Sequence, residues 1–156
     1  MKRDSRLARM IHVLIHMGLL GGRETSETIA KMLNTNPVVV RRTMAALKRK
    51  GVVDSEGGRG GGWLLLRSLD DLTVLDIQKA LDEGEVLSAG VSDDHPTCPV
   101  ERAANAALVQ AFDKAESTLL GEFATLRLSI IAEHALSADR HVIPPQDGRD
   151  DDGKRR

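Results

Sequence analysis

The stretch NPVVVRRTMAALKRK, residues 36–50, decides the fold predicted for this chain of 156 residues. Asn36 suits a helix N-cap, and Pro37 suits the first helical position, where its missing N–H has no helical partner. Apolar side chains recur at spacings of four and three and share one face: Val40, Met44 and Leu47. The arginines and lysines lie largely off that face. The stretch therefore predicts a short basic helix anchored by one apolar stripe.

A second short helix is predicted just before the basic one. TSETIAKMLN, residues 25–34, has Thr25 as its N-cap and Glu27 in the first turn, where a carboxylate complements the helix dipole. Residues 34–36 form a three-residue turn of the kind that joins two helices at a steep angle. This half of the pattern is typical of a helix-turn-helix.

A glycine-rich hairpin is predicted after the basic helix. Gly51 ends that helix, and strands begin at Val52 and at Trp63. GGRGGG, residues 57–62, makes the turn between them. A phosphate-binding loop would run from a strand into a helix and place a Lys after the glycines, and this run does neither. Helix, turn, basic helix and hairpin together predict a winged helix-turn-helix.

This arrangement indicates a helix that binds double-stranded DNA rather than an ordinary solvated surface helix. A helix pinned by one apolar stripe, with arginines near its N-terminal half, suits a major groove. We expect four residues to face bases or adjacent phosphates: Val38, Val39, Arg41 and Arg42. Contacts with the DNA backbone are expected from four further residues: Thr25, Ser26, Lys48 and Arg49. Arg59 stands at the tip of the wing, where an arginine suits a narrow minor groove.

Charge separates along the chain. Residues 1–67 hold 13 Lys and Arg against 5 Asp and Glu, whereas residues 68–156 hold 9 against 18. The near-neutral total of −1 therefore hides a basic half and an acidic half. Such asymmetry indicates a nucleic-acid-binding module joined to a different kind of segment.

Composition excludes several other classes of protein. No apolar run reaches about 18 residues, so no transmembrane helix is expected, and the N-terminal segment predicts an amphipathic helix rather than a signal peptide. Its apolar face is predicted to hold Leu7, Met10, Ile11, Leu14 and Ile15. One cysteine fits a reducing cytoplasm, and three aromatic residues provide no platform for stacking single-stranded bases.

The second half predicts a helix over residues 71–84 with Thr73 as cap, a polar loop, and a long helix from Pro99 to about residue 136. An apolar stripe with coiled-coil-like spacing follows the long helix: Leu108, Phe112, Ala115, Leu119, Phe123, Leu126 and Ile130. So small a domain cannot bury the whole stripe, so a second copy of the chain is the expected partner. The alternative is that the helix docks onto its own domain.

These observations divide the chain into four parts. Residues 1–84 are predicted as the winged helix-turn-helix, 85–98 as a sensor loop, 99–136 as a dimerisation helix and 137–156 as a disordered tail. The predicted fold class is therefore mainly α with a small β-hairpin wing and a long C-terminal dimerisation helix.

The sequence resembles the Rrf2 family of bacterial transcriptional regulators, to which IscR, NsrR and CymR belong. The resemblance covers roughly residues 5–134 and rests on IAKMLNTNPVVVRRTMAALKRKGVVDSEGGRGGGWLL followed by LTVLDIQKAL. It implies a homodimer that binds a palindromic operator near a promoter, usually as a repressor. Several members carry three cysteines before the long helix and hold a [2Fe–2S] cluster there. This chain has only Cys98 at that place, so it looks more like the cluster-free, YwnA-like members, and no cofactor is expected.

Cys98 leaves two interpretations open. As the residue before Pro99 it would cap the long helix, where the helix dipole favours a thiolate and hence a redox or electrophile sensor. It could equally be an inert, half-buried cysteine. His95, Asp93 and Asp94 could add metal ligands, as could His12 with His16 one turn apart, but loop hydrogen bonding and surface exposure are favoured for them.

Two other classes of function fit the sequence less well than a DNA-binding regulator does. A winged-helix adaptor that binds proteins would not need a first half with a net charge of +8. An enzyme would need a catalytic arrangement, and the Ser, His and Asp residues of this chain form none that can be recognised. We therefore expect a cytoplasmic, non-enzymatic, homodimeric regulator.

Overall fold

The computed structural model describes residues 5–81, 86–87 and 89–140 of the chain. Helices dominate these residues, and three short strands form one antiparallel sheet. The elements in chain order are α1 (Arg6–Leu20), β1 (Arg23–Glu24), α2 (Ser26–Met32), α3 (Pro37–Arg49), β2 (Val53–Glu56), β3 (Gly62–Leu65), α4 (Val74–Ala80), α5 (Pro99–Thr125) and α6 (Leu128–Arg140). The predicted fold class, mainly α with a hairpin wing, is confirmed.

Side-chain caps begin both helices of the helix-turn-helix, as the sequence predicted. The hydroxyl of Thr25 accepts a hydrogen bond from the Thr28 N–H at 3.1 Å, and the Asn36 side chain accepts one from the Val38 N–H at 2.7 Å. Between the helices Asn34 adopts a φ of +49°, a left-handed conformation that Asn tolerates better than most residues. Local chemistry thus sets the angle at which α3 leaves α2.

The apolar stripe of α3 faces the core of the winged domain. Val40, Met44 and Leu47 are almost fully buried. Helix α1 packs on the same core with the predicted Met10, Leu14 and Ile15, and also with Val13 and Met17, which were not predicted. Burial of these side chains fixes α3 and leaves its opposite face to solvent.

The sheet has the strand order β1–β3–β2, so β3 is its central strand. The hairpin of β2 and β3 was predicted, with boundaries shifted by one residue, but β1 was not. Strand β1 pairs Glu24 with Trp63. At the wing turn a Cβ on Gly61 would lie 2.3 Å from the Glu56 carbonyl oxygen, so this close approach requires glycine.

Helix α4 is shorter than the predicted 71–84, because it spans Val74–Ala80, and residues 82–84 lie outside the described residues. Its predicted cap, Thr73, is confirmed. Thr73 and Asp76 form a reciprocal capping box, in which the Thr73 hydroxyl accepts from the Asp76 N–H at 3.2 Å and the Asp76 carboxylate accepts from the Thr73 N–H at 3.0 Å.

The prediction of one continuous helix from Pro99 to about residue 136 is wrong. Helix α5 ends at Thr125, and α6 begins at Leu128. Between them the Leu126 carbonyl accepts a hydrogen bond from the Val74 N–H, and the Leu128 N–H donates to the Leu72 carbonyl, both at 2.9 Å. Backbone bonds to the start of α4 thus replace helical ones, and they join α5 firmly to the winged domain.

The other C-terminal boundaries also differ in part from prediction. Helix α6 continues to Arg140, so residues 137–140 are helical rather than the start of a tail, and residues 141–156 lie outside the described residues. Part of the predicted loop 85–98 lies outside them too. Among residues 5–81, 86–87 and 89–140, no helix combines the length and hydrophobicity needed to cross a bilayer.

Candidate nucleic-acid interface

The first two turns of α3 present an exposed surface of apolar and cationic side chains. Val38 is 59% exposed, Val39 is also exposed, and the side chains of Arg41 and Arg42 reach solvent one turn further on. Because the stripe on the other side of α3 is buried, this surface cannot rotate into the core. The structure therefore leaves exposed, on the first two turns of α3, the four residues predicted to face bases or adjacent phosphates.

Arg41 is held by an acidic side chain of α2. Its Nη2 donates a hydrogen bond to the Glu27 Oε1 at 3.3 Å, and the two side chains are 52% and 63% exposed. Both lie in a cleft of about 290 Å³ between the start of α2, α3 and the wing, which Thr25, Glu56 and Trp63 also line. Sequence reasoning had placed Glu27 at the helix dipole but had not found this pairing.

Lys48, near the other end of α3, is bound to strand β2. Its Nζ lies 2.9 Å from the Asp54 Oδ1 and donates a hydrogen bond to the Ser55 Oγ at 2.8 Å. The bond from Lys48, followed by that from the Ser55 N–H, holds the pKa of the Asp54 carboxyl below its usual range. Lys48 therefore links α3 to the wing.

Arg59 lies exposed in the turn of the wing, as predicted. Gly58 and Gly60 on either side of it have φ angles of +86° and +80°, which favour glycine. Below the turn, Arg23 of β1 and Glu56 of β2 form an ion pair at 2.6 Å. The wing thus projects one arginine from a narrow backbone turn without bulky neighbours.

The two residues at the start of α2 have different environments. Thr25 is exposed, and its hydroxyl caps α2. Ser26, predicted as a backbone contact, is only 8% exposed, and its Oγ accepts a hydrogen bond from the Trp63 Nε1 at 3.0 Å. The buried indole N–H requires this acceptor, so the Ser26 side chain belongs to the interior rather than to a DNA-facing surface.

Sequence reasoning missed two arginines of α1. The Arg9 Nη2 donates a hydrogen bond to the Leu33 carbonyl at 2.9 Å, at the C-terminus of α2, where a cation also complements the helix dipole. Arg6 and Arg9 line a small depression that they share with Val39 and Thr43 of α3. Their spacing of three residues, about one helical turn, was the available signal for a basic edge beside α3.

Helix α5 has no buried residue along its 27 residues. The N-terminal part of its predicted stripe is open, with Leu108 47% exposed and Phe112 also exposed. Phe123, near the other end, packs against the core of its own winged domain. The stripe is therefore not covered uniformly. Phe123 docks within the chain, whereas four of its other large apolar members remain exposed within the described residues: Leu108, Phe112, Leu126 and Ile130.

Cys98 is the N-cap residue of α5 and is half-buried. Its side chain makes no capping hydrogen bond, but its N–H donates to the His95 carbonyl at 2.8 Å. The loop before it is bound to α5 through side chains. The Glu101 carboxylate accepts from the His95 N–H at 2.8 Å, and the Asn105 side chain makes two hydrogen bonds with the backbone of Ser92.

Comparison with known proteins gives a consistent set of relatives. Residues 3–134 match the model of the Rrf2 family, which is described as an iron-dependent transcriptional regulator. YwnA of Bacillus subtilis, named as an HTH-type transcriptional regulator, is 33% identical over 131 residues, which cover 84% of this chain and 97% of YwnA. A crystal structure named as that of a DNA-binding protein is 30% identical, with a TM-score of 0.65, over 81% of this chain and 98% of its own. The structure of CymR, the global cysteine regulator of B. subtilis, shares the fold at 20% identity, with a TM-score of 0.63 over 86% and 98% of the two chains.

The donor set of this chain does not fit a cysteine-ligated iron–sulfur cluster. Such clusters take several thiolates, and Cys98 is the single cysteine of the sequence. Among the residues that the structure describes, no three His, Cys, Asp or Glu side chains come close enough together to hold a metal ion. The iron dependence in the family description is therefore not carried over to the loop around Cys98.

Proposed function

Because the chain belongs to the Rrf2 family of transcriptional regulators, we propose that it acts as a repressor that binds a palindromic operator as a homodimer in the cytoplasm. The observation that carries the proposal is the exposed face of α3, where Val38, Val39, Arg41 and Arg42 stand beside a glycine-rich wing. A rigid helix that presents apolar and guanidinium groups together can read base edges in a major groove.

Contacts to the DNA backbone would flank this surface. We assign them to Thr25, Lys48 and Arg49 and withdraw Ser26, because its side chain is buried against Trp63. Arg59 would enter the adjacent minor groove, where a narrow groove concentrates negative potential. Phosphate contacts of this kind fix the position of the protein, and base contacts give specificity.

Dimerisation would use α5. This assignment keeps the division of the chain into a DNA-binding domain (1–84), a sensor loop (85–98) and a dimerisation segment (99–136). The exposed Leu108 and Phe112 provide apolar surface for a second copy. The backbone bonds of Leu126 and Leu128 to the start of α4 connect α5 rigidly to the winged domain. A fixed junction would set the distance between the two recognition helices of a dimer.

To test the proposal, the full-length protein is used to select the duplexes that it binds from a library of randomised sequence. We expect enrichment of an inverted repeat whose half-sites lie about one helical turn, or a multiple of it, apart. Affinity for the enriched duplex should fall steeply as the salt concentration rises. Each phosphate contact should add about −0.9 to the slope of the logarithm of the binding constant against the logarithm of the salt concentration. The proposal would be refuted if no sequence were enriched, or if the affinity did not depend on the salt concentration.

We further propose that Cys98 makes DNA binding sensitive to oxidants or electrophiles. The thiol stands where the hydrogen-bonded loop meets the dimerisation helix, so an adduct there would disturb the hydrogen bonds of His95 and Glu101. With one cysteine per chain, the available products are a sulfenic acid, a mixed disulfide or a disulfide between subunits. Each would alter the start of α5.

We expect peroxide or hypochlorite to weaken binding to the enriched duplex and a thiol reductant to restore it. Fluorescence anisotropy before and after treatment measures the change, and mass spectrometry identifies the adduct. The Cys98→Ser variant should bind the enriched duplex as tightly as the untreated wild type, and its affinity should not change when the oxidant is added. If the Cys98→Ser variant loses affinity on oxidation as the wild type does, Cys98 is not the sensor.

A further inference from the structure

Six cations of α3 and of the sheet with its wing, on or beside the proposed DNA-facing surface, fall into two groups. Three are paired with a carboxylate of the same domain: Arg23 with Glu56, Arg41 with Glu27, and Lys48 with Asp54. Three others have no ion pair or side-chain hydrogen bond among the described residues: Arg42, Arg49 and Arg59. A carboxylate offsets the positive charge of each cation in the first group, which weakens its attraction for phosphate, whereas no carboxylate among the described residues does so in the second group.

The pair of Arg41 and Glu27 differs from the other two in its position. It joins the two helices of the helix-turn-helix beside the cleft that faces the wing. Among the described residues that line this cleft, Arg41 is the one cation, and Glu27 and Glu56 are both carboxylates. Because Glu56 is itself paired with Arg23, each carboxylate of the cleft is offset by one cation. The cleft therefore has no net positive charge that would attract a DNA phosphate.

The geometry of the pair leaves Arg41 able to donate hydrogen bonds elsewhere. One bond, from Nη2 to the Glu27 Oε1, holds the guanidinium. A guanidinium has five N–H donors, so four remain for other acceptors. Guanine offers uncharged acceptors, O6 and N7, to an arginine in the major groove. Neutralisation by Glu27 therefore reduces the attraction of Arg41 for phosphate more than its ability to bind guanine.

We propose that Glu27 is a positioning residue that sets DNA specificity through Arg41. By neutralising the guanidinium and holding it beside α2, Glu27 makes Arg41 a poor phosphate contact and reserves it for a base. The inference rests on the proposed DNA-binding function and adds to it a carboxylate that opposes non-specific binding. Discrimination by suppressing the wrong complex is a general route to specificity.

The test compares Glu27→Gln with a matched control, Glu24→Gln, in the full chain. Both substitutions remove one negative charge from the winged domain, but Glu24 has no ion pair among the described residues. The probes are a duplex enriched by the wild-type protein from a randomised library and a duplex of scrambled sequence. Glu27→Gln should raise affinity for the scrambled duplex about threefold to fivefold more than Glu24→Gln does, as expected for release of one exposed pair.

The measured quantity is the ratio of affinities for the enriched and scrambled duplexes. We expect this ratio to fall in Glu27→Gln and to stay near the wild-type value in Glu24→Gln. In an Arg41→Ala background, Glu27→Gln should no longer change the ratio, because the group through which Glu27 acts is absent. The thermal unfolding midpoint should change little, since both partners of the pair are more than half exposed.

Three results would overturn the proposal: an unchanged ratio in Glu27→Gln, an equal change in Glu24→Gln, or a change that persists without Arg41. The first would make the ion pair irrelevant to recognition, and the second would reduce its effect to net charge. A wild-type protein that enriches no duplex would instead refute the proposed DNA-binding function itself, and this inference with it.

Discussion

Replacing both Arg41 and Arg42 by alanine is expected to abolish sequence-specific DNA binding while leaving the fold intact. Both side chains are exposed, so their removal creates no cavity in the core. An arginine that donates two hydrogen bonds to guanine contributes about 1–3 kcal/mol of discrimination. The double variant should therefore bind the enriched duplex hardly better than a scrambled one, as measured by fluorescence anisotropy.

The two arginines should also contribute differently when they are changed singly. Arg42 has no carboxylate partner among the described residues, whereas Arg41 is paired with Glu27. Arg42→Ala should thus lower affinity for any duplex and reduce the salt slope by about 0.9 if it contacts a phosphate. Arg41→Ala should act mainly on the enriched duplex.

A matched control removes two cations that lie on other helices than α3. Lys79→Ala combined with Arg102→Ala changes the net charge equally but acts on α4 and α5. We expect this variant to keep the affinity ratio of the wild type. If it loses as much discrimination as the double arginine variant, or if the latter still binds its site tightly, the assignment of α3 as the recognition helix is wrong.

Features set by neighbouring residues could be read from the sequence. Asn36 and Thr73 cap helices as predicted, because a capping hydrogen bond joins residues only two or three positions apart. The buried stripe of α3 followed from its periodicity alone. The hairpin followed from apolar runs around a glycine-rich turn, with an error of one residue at its boundaries.

Features set by distant residues could not be read in this way. Strand β1 is two residues long and exists because Arg23 and Glu24 pair with β3, about forty positions away. The break between α5 and α6 depends on backbone bonds from Leu126 and Leu128 to the start of α4. No local signal marks this break, since neither glycine nor proline stands there and the apolar spacing continues.

The same distinction applies to the candidate interface. Sequence alone identified the cations of α3, which the structure shows to be exposed, because basic residues on a short helix are easily recognised. Their partners were not predictable: Glu27 is fourteen positions from Arg41, and Trp63 is thirty-seven from Ser26. These pairings changed Ser26 from a predicted contact to a structural residue and gave Glu27 a proposed role.

Introducing negative charges into the exposed stripe of α5 is expected to convert a dimer into monomers. In Leu108→Glu combined with Phe112→Glu, two charges would face a partner helix, where burial of unpaired carboxylates is strongly unfavourable. Both residues are exposed in the single chain, so each subunit should still fold. Sedimentation velocity at micromolar concentration measures the change in mass.

Loss of the dimer should greatly weaken operator binding, although every DNA contact remains present. Linking two half-site modules raises affinity by about 10²–10⁴ through effective concentration, and a monomer loses that gain. Gln110→Glu combined with Ser117→Glu is the matched control, since it adds equal charge on the opposite side of α5, where both residues are exposed. We expect this control to remain dimeric and to bind as the wild type does. A monomeric wild-type protein, or a Leu108→Glu/Phe112→Glu variant that still sediments as a dimer, would show that α5 does not form the interface.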